Sequence, residues 1–313
     1  MKVVAKGFSV EAGNDHVSVD EVLAWMQGSS GASDHSKGLE RRIYVSSGEA
    51  GGFARGLVVT VRDQKKFLRM AGQGQNVVIE VENLKGDQHL MEFNFFVLNK
   101  ANGLGLYLHY HQSCSISIFG SFLQARYHTL SRSGREVAEA ALGDNPNPKV
   151  VRDLRKEFSG RLAFAQLVSK QGLEDILKEC KSIESFEYEF ATIEQAKATP
   201  ATPLSRFAKR RREKLTFVSK SPVAALAKAV SEALAVVDPR SGKVQATTVQ
   251  GKHLSLKISD IPEHFAEYEY DDIAGRLDKL DTSKFQAHPI LDEMEEICRS
   301  EDNRATFMAE FQK

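Results

Sequence analysis

Between Met91 and Leu130 the spacing of apolar residues changes period, and the change predicts a strand hairpin followed by a helix. Phe93, Phe95, Phe96, Val97 and Leu98 make an apolar run of strand length. Asn99-Lys100-Ala101-Asn102-Gly103 interrupts it with the polar and glycine residues that a hairpin loop needs. Residues 104–110 read as the return strand. From Ile118 the spacing becomes i, i+3, i+4 (Ile118, Phe119, Phe122, Leu123, Arg126, Tyr127), with Ser115 or Ser117 placed to cap the first turn. The rest of the chain reads as additions to this hairpin and its helix.

Upstream, residues 2–10 read as a strand. Ser18 with Glu21 three residues on forms a capping-box signature for a helix carrying Val22, Leu23, Trp25 and Met26 inward and ending at Gly28. Residues 28–38 read as a flexible loop, 41–47 and 57–61 as strands, and 48–56 as a Gly-rich turn between them. Residues 63–68 read as a short helical or turn segment, with 77–82 and 89–98 as strands. The sum is an α+β domain, an antiparallel sheet of about six strands with packed helices.

Asp144-Asn145-Pro146-Asn147-Pro148 is the linker candidate, because proline continues neither a helix nor a central strand. It is followed by a basic helix (150–158), a strand (161–168), a helix (173–180), a strictly alternating strand (183–193), a basic helix (204–214), an Ala-rich helix (222–236) and a hairpin (244–249, 254–258). Beyond Glu263 the chain reads as acidic and mostly helical, ending in a helix over 290–311. The expected division is 1–143 for a sheet-rich domain, 144–258 for a smaller α/β domain, and 259–313 for an acidic helical tail.

Composition narrows the class. No apolar run approaches the roughly 18–20 residues of a membrane span, so no membrane insertion is expected. MKVVAKGFSVEAG carries no apolar h-region, so a signal peptide is not expected either. Cys114, Cys180 and Cys298 are widely spaced with no CxxC pair, which fits a reducing cytoplasm. The formal charge is zero, but it is divided unevenly. Residues 259–302 hold 14 Asp or Glu against 4 Lys or Arg.

Candidate chemistry is sparse. His109-Tyr110-His111 puts two imidazoles on one face of a strand, and Cys114 follows three residues on, which supplies zinc-ligand types and part of the spacing. His16, His89 and His128 are the candidates for a fourth ligand; the alternative is a pair of histidines at a sheet edge. Asp63, Glu80 and Glu82 could gather at a divalent cation, but Glu82 stands where a PD-(D/E)xK nuclease needs lysine. No GxxxxGK[ST] loop and no GxSxG elbow is present. The reading assigns no catalytic residue, no cofactor and no metal, with a metal-dependent hydrolase at His109 and His111 as the rival.

The basic segment 204–214 has more to offer. Arg206, Lys209, Arg210, Arg211, Arg212 and Lys214 stand there against the single Glu213. Lys149, Arg152, Arg155, Lys156 and Arg161 make a second basic segment. A cluster of this density calls for an anion, either the acidic tail of the chain itself or a phosphate backbone whose counterions it releases. Arg206, Lys209, Arg210, Arg211, Arg212 and Lys214 are the expected phosphate contacts, with Lys149, Arg152 and Arg155 widening the footprint.

In element order the chain resembles the DNA-binding sensor of the phage lambda Rex exclusion system and, more loosely, the B component of the Kiwa anti-phage system. The matching features are the apolar run into a Gly turn around Phe95–Gly105, Phe119-Gly120, and the basic residues after the 183–193 strand. The resemblance implies a bacterial, intracellular antiviral protein that binds double-stranded DNA without sequence preference, as a homodimer. The strongly acidic C-terminal region departs from that pattern. A protein-interaction component of a defence or toxin operon, docking a partner through the helix over 290–311, is the remaining alternative.

Overall fold

The computed structural model describes residues 1–36, 39–49, 52–62, 66–73, 76–83, 90–143, 146–169, 172–189, 212–218, 221–237, 241–259, 264–308 and 310. The first half contains β1 (Lys2–Glu11), α1 (Val19–Gly28), β2 (Ser33–Ser36), β3 (Leu39–Ser46), β4 (Phe53–Arg62), β5 (Lys66–Gln73), β6 (Asn76–Asn83), β7 (Leu90–Asn99), β8 (Leu104–His109) and α2 (Ile116–Ala140). Then come α3 (Pro148–Glu157), β9 (Ala163–Ser169), α4 (Leu173–Lys178), β10 (Cys180–Glu189), β11 (Arg212–Thr216), α5 (Val223–Val237), β12 (Ser241–Thr248) and β13 (His253–Ser259). The chain closes with β14 (Ala266–Glu269), α6 (Tyr270–Arg276), a 3-10 turn (Thr282–Ala287), α7 (Pro289–Arg299) and α8 (Arg304–Phe307).

The fold is α+β. One sheet carries the strand order β11-β10-β12-β13-β9-β1-β8-β7-β4-β3-β2, with β14 also on β1. Among the described residues its ladders are antiparallel except β9 with β13. The β7 run explains the middle of this sheet. Successive side chains of a strand point to opposite faces, so an unbroken apolar run is stable only where both faces are covered. Phe93, Phe95 and Val97 lie in one core with Ile290, Leu291, Met294 and Phe307 of the C-terminal segment. Phe96 and Leu98 lie in the other with Leu23 of α1 and Phe119 and Leu123 of α2. A third core forms where α4 and α5 cover β10, β12 and β13, through Leu173, Leu177, Ala227, Phe186 and Val244.

Several expected elements stand as read. Ser18 caps α1 with Glu21 completing the box, Ser115 caps α2, and the β12–β13 hairpin turns through Gly251 at φ +77°. Others are corrected. The expected 28–38 loop contains β2, which pairs with β3. Residues 66–68, expected within a short helical or turn segment, begin β5, which pairs with β6 in a sheet of its own; residues 63–65 lie outside the described ones. The helix expected over 290–311 breaks at Ser300: the Ser300 hydroxyl and the Asn303 amide donate to the Ile297 carbonyl at 2.8 and 3.1 Å, competing with the helical ladder. α7 also shows its apolar stripe fully used, with Ile290, Leu291, Met294 and Cys298 all buried in the first core, so that stripe is not a partner-docking face.

Candidate nucleic-acid interface

The primary basic segment is only partly described. Arg206, Lys209, Arg210 and Arg211 lie outside the described residues. Arg212 and Lys214 are not helical as expected but stand in β11 at the edge of the sheet, where Phe186 faces Leu215 and Tyr188 faces Glu213. Cross-strand pairing with β10 overrides the local helix preference of Arg-Glu-Lys. The Tyr188 hydroxyl donates to Glu213 at 2.7 Å, so the lone acid of the segment is engaged with its neighbour strand.

The second basic segment forms α3, capped by the Asn147 side chain accepting from Lys149 N at 2.9 Å, with Pro148 in the first turn. Arg155 and Lys156 occupy its last turn, where cations answer the partial negative end of the helix. No residue of α3 is fully buried, and Lys149, Arg152 and Arg155 are exposed. The helix lies against the C-terminal half of α2, and the pair enclose a cleft of about 380 Å³. Arg132 and Arg135 of α2 face Arg155 of α3 and Arg161 beyond it, with His128 alongside; none of the lining residues is acidic.

The cleft has a fixed floor. The Tyr127 hydroxyl accepts from Gly13 N at 3.0 Å and Asn14 N at 2.8 Å. Buried Ser131 donates to the Phe158 carbonyl at 3.0 Å, and the His16 ring stacks on Phe158 at 4.2 Å. Gly160 adopts φ +131°, and a Cβ there would meet the Gly13 carbonyl oxygen at 2.1 Å, so this crossing needs glycine. Tertiary bonds thus hold the arginines on a rigid base.

Its charges are incompletely answered. Glu139 takes a 2.8 Å bond from Arg155, which raises the Arg155 pKa and lowers that of Glu139. The same carboxylate stands 3.6 Å from Arg135, beyond hydrogen-bond range, and the buried Nε of Arg135 has no hydrogen-bond partner. Arg132 is 3.6 Å from Glu136, with both side chains more than half exposed, a pair worth little in water. The acidic tail does not reach this cleft among the described ion pairs. Its carboxylates engage the N-terminal sheet and each other's segment: Glu267 and Glu269 with Lys2, Asp292 and Glu295 with Arg55, Glu293 with Arg276.

The expected histidine pair is not on one strand face. β8 ends at His109, and the chain then turns through Gln112 at φ +72°, with the Ser113 hydroxyl donating to the Tyr110 carbonyl and accepting from Tyr110 N. His111 is exposed there, while burial and the nearby Lys6 bring the His109 pKa down to about 4. Cys114 is buried beneath α2, its thiol pKa pushed up by burial. Among the described residues no three His, Cys, Asp or Glu side chains gather as a metal site would require. His89 and Asp63 lie outside the described residues, as do the side chains of Glu80 and Glu82.

Sequence reading missed Arg132 and Arg135, because they fall on the solvent side of a helix recognised for its apolar stripe. Glu136 and Glu139 in the same helix balance their charge in sequence; only the α2–α3 packing brings them to Arg155 and Arg161. No helix of the described residues is long and apolar enough to cross a membrane. No protein-family model matches the chain, and no curated protein matches it.

Proposed function

We propose that this chain binds double-stranded DNA without sequence preference, as a non-enzymatic component of anti-phage defence. The observation that carries the binding half is the α2–α3 cleft, where Arg132, Arg135, Arg155 and Arg161 converge with no acidic lining residue. Guanidinium groups bind phosphate through paired N–H donors, and such contacts fix a protein on a duplex without reading its sequence. Lys149 and Arg152, exposed on α3 outside the cleft lining, widen the basic footprint in this reading. Arg206, Lys209, Arg210, Arg211, Arg212 and Lys214 supply a second contact. The defence role, and a homodimer that doubles the footprint, rest on the resemblance in element order.

A gel-shift titration with a duplex of arbitrary sequence tests the proposal. Charge reversal at Arg132, Lys149, Arg152 and Arg161 together is expected to weaken retention by at least tenfold. Reversal of Lys209, Arg210, Arg211 and Arg212 is expected to weaken it independently, and the two sets to act additively. Retention unchanged by both would remove the proposal.

A further inference from the structure

A second groove, on the other side of α2, combines an aromatic wall with cations and is independent of the duplex-binding cleft. It measures about 320 Å³ and lies between α1, the β2–β3 hairpin and the first half of α2. Trp25 is 36% exposed on its rim, and the Arg126 guanidinium sits 5.4 Å from the centre of that ring. Phe122 lies one turn before Arg126, on the same side of the helix, and lines the same groove. Arg41 enters from β3, and its buried Nε has no hydrogen-bond partner. Asp34, opposite Arg41 on β2, is the one carboxylate of the wall, so the groove holds two cations against one acid.

The volume falls within the roughly 300–1,000 Å³ usual for small-molecule sites. Its chemistry asks for a flat aromatic body that stacks beside Trp25, an anionic group for Arg41 and Arg126, and a donor for Asp34. Those three demands together describe a nucleobase bearing a phosphate and an exocyclic amino group. At 3.6 residues per turn Arg135 stands about 180° around α2 from Arg126, which places this groove and the duplex cleft on opposite flanks of the helix. We infer that the Trp25–Arg41–Arg126 groove binds a nucleotide whose base carries an exocyclic amino group, adenine being the probe used, either free or as an unpaired base of a nucleic-acid strand.

Trp25 is the only tryptophan of the chain, so its fluorescence in the full-length protein reports on this groove directly. Titration with AMP, with an eight-residue oligodeoxyadenylate and with adenosine is the experiment. A saturable change with AMP assigns a free nucleotide; a change with the oligonucleotide alone assigns the base of a strand. In either case Arg41→Gln and Arg126→Gln should each weaken binding at least tenfold, with melting temperature checked to show that both variants fold. Duplex retention by these variants should stay at the wild-type level, so this inference can fail while duplex binding stands. No saturable change with either probe would overturn it. So would adenosine binding as tightly as AMP, or a response that Arg132→Glu abolishes and Arg41→Gln does not.

Discussion

The acidic helix α7 and the basic helix α3 look alike as sequence, each a short amphipathic run dense in one sign of charge, yet the fold treats them in opposite ways. In α7 the charge is answered at home. Glu295 is buried between Arg55 at 2.7 Å and Arg299 at 2.9 Å, and Arg299 in turn lies over the Phe53 ring at 5.0 Å. The apolar stripe beneath is closed in the core against β7. In α3 nothing is fully buried, and the helix contributes to a cleft lined by four arginines and no acidic residue. A run of charge therefore becomes a candidate site where its cations outnumber the carboxylates that answer them, and that balance is a tertiary property.

The largest effect that tests this contrast is on the α7 side. Glu295→Ala removes the buried carboxylate that Arg55 and Arg299 share, while Arg55 keeps Asp292 at 2.7 Å and half-exposed Arg299 keeps water, so the loss is that of two charge-assisted contacts, about 3 kcal/mol. Chemical denaturation should show a lower midpoint at unchanged slope, while duplex binding by the folded fraction stays the same. A fall in DNA retention without a fall in stability would erase the distinction between the two helices.

Next in size is an acid effect that sets the range in which binding and folding can be separated. The folded pKa of His109 is depressed to about 4, below the roughly 6.5 of an unfolded histidine. Between these values the unfolded chain binds the extra proton, so stability falls as pH drops from about 6.5 towards 4 and loses no more below that. The full loss is on the order of 3 kcal/mol. Thermal melts of wild type and His109→Gln across this window should converge at low pH, with the variant nearly flat. Parallel curves would show that another group carries the acid sensitivity.

The smallest effect is the most discriminating. Glu139→Gln removes the carboxylate that engages Arg155, and because the pair is exposed its melting temperature should hardly move. Duplex affinity should rise a few-fold, since a guanidinium is freed in the cleft. The same kind of change, acid to neutral, would then cost stability at position 295 and improve binding at position 139. A loss of affinity in Glu139→Gln would mean that its ordering of Arg155 matters more than its charge.

What the sequence made legible was what neighbouring residues decide. The Ser18–Glu21 cap, the Ser115 cap, the β7 run and the Gly251 turn each depend on a few adjacent side chains. Hidden were the features set by distant pairing. β14 meets β1 through Ala5 and Ala266, a contact across most of the chain, and its alternation is too short to signal a strand. Arg212 and Lys214 read as helix because their own preference says so, and only Tyr188 and Phe186 on β10 make them a strand. Arg132 and Arg135 were unremarked for the same reason: their meaning comes from Arg155 and Arg161 across the cleft.

The most direct test is the salt dependence of duplex binding by wild type and by the Arg132, Lys149, Arg152, Arg161 charge-reversal variant, measured by anisotropy between 50 and 300 mM salt. Each lost phosphate contact lowers the slope of log K against log salt by about 0.9. A cleft that grips DNA predicts a steep wild-type slope and a variant shallower by about 3 to 4, with sequence of the duplex immaterial. Equal slopes for the two proteins would contradict it, whatever their absolute affinities.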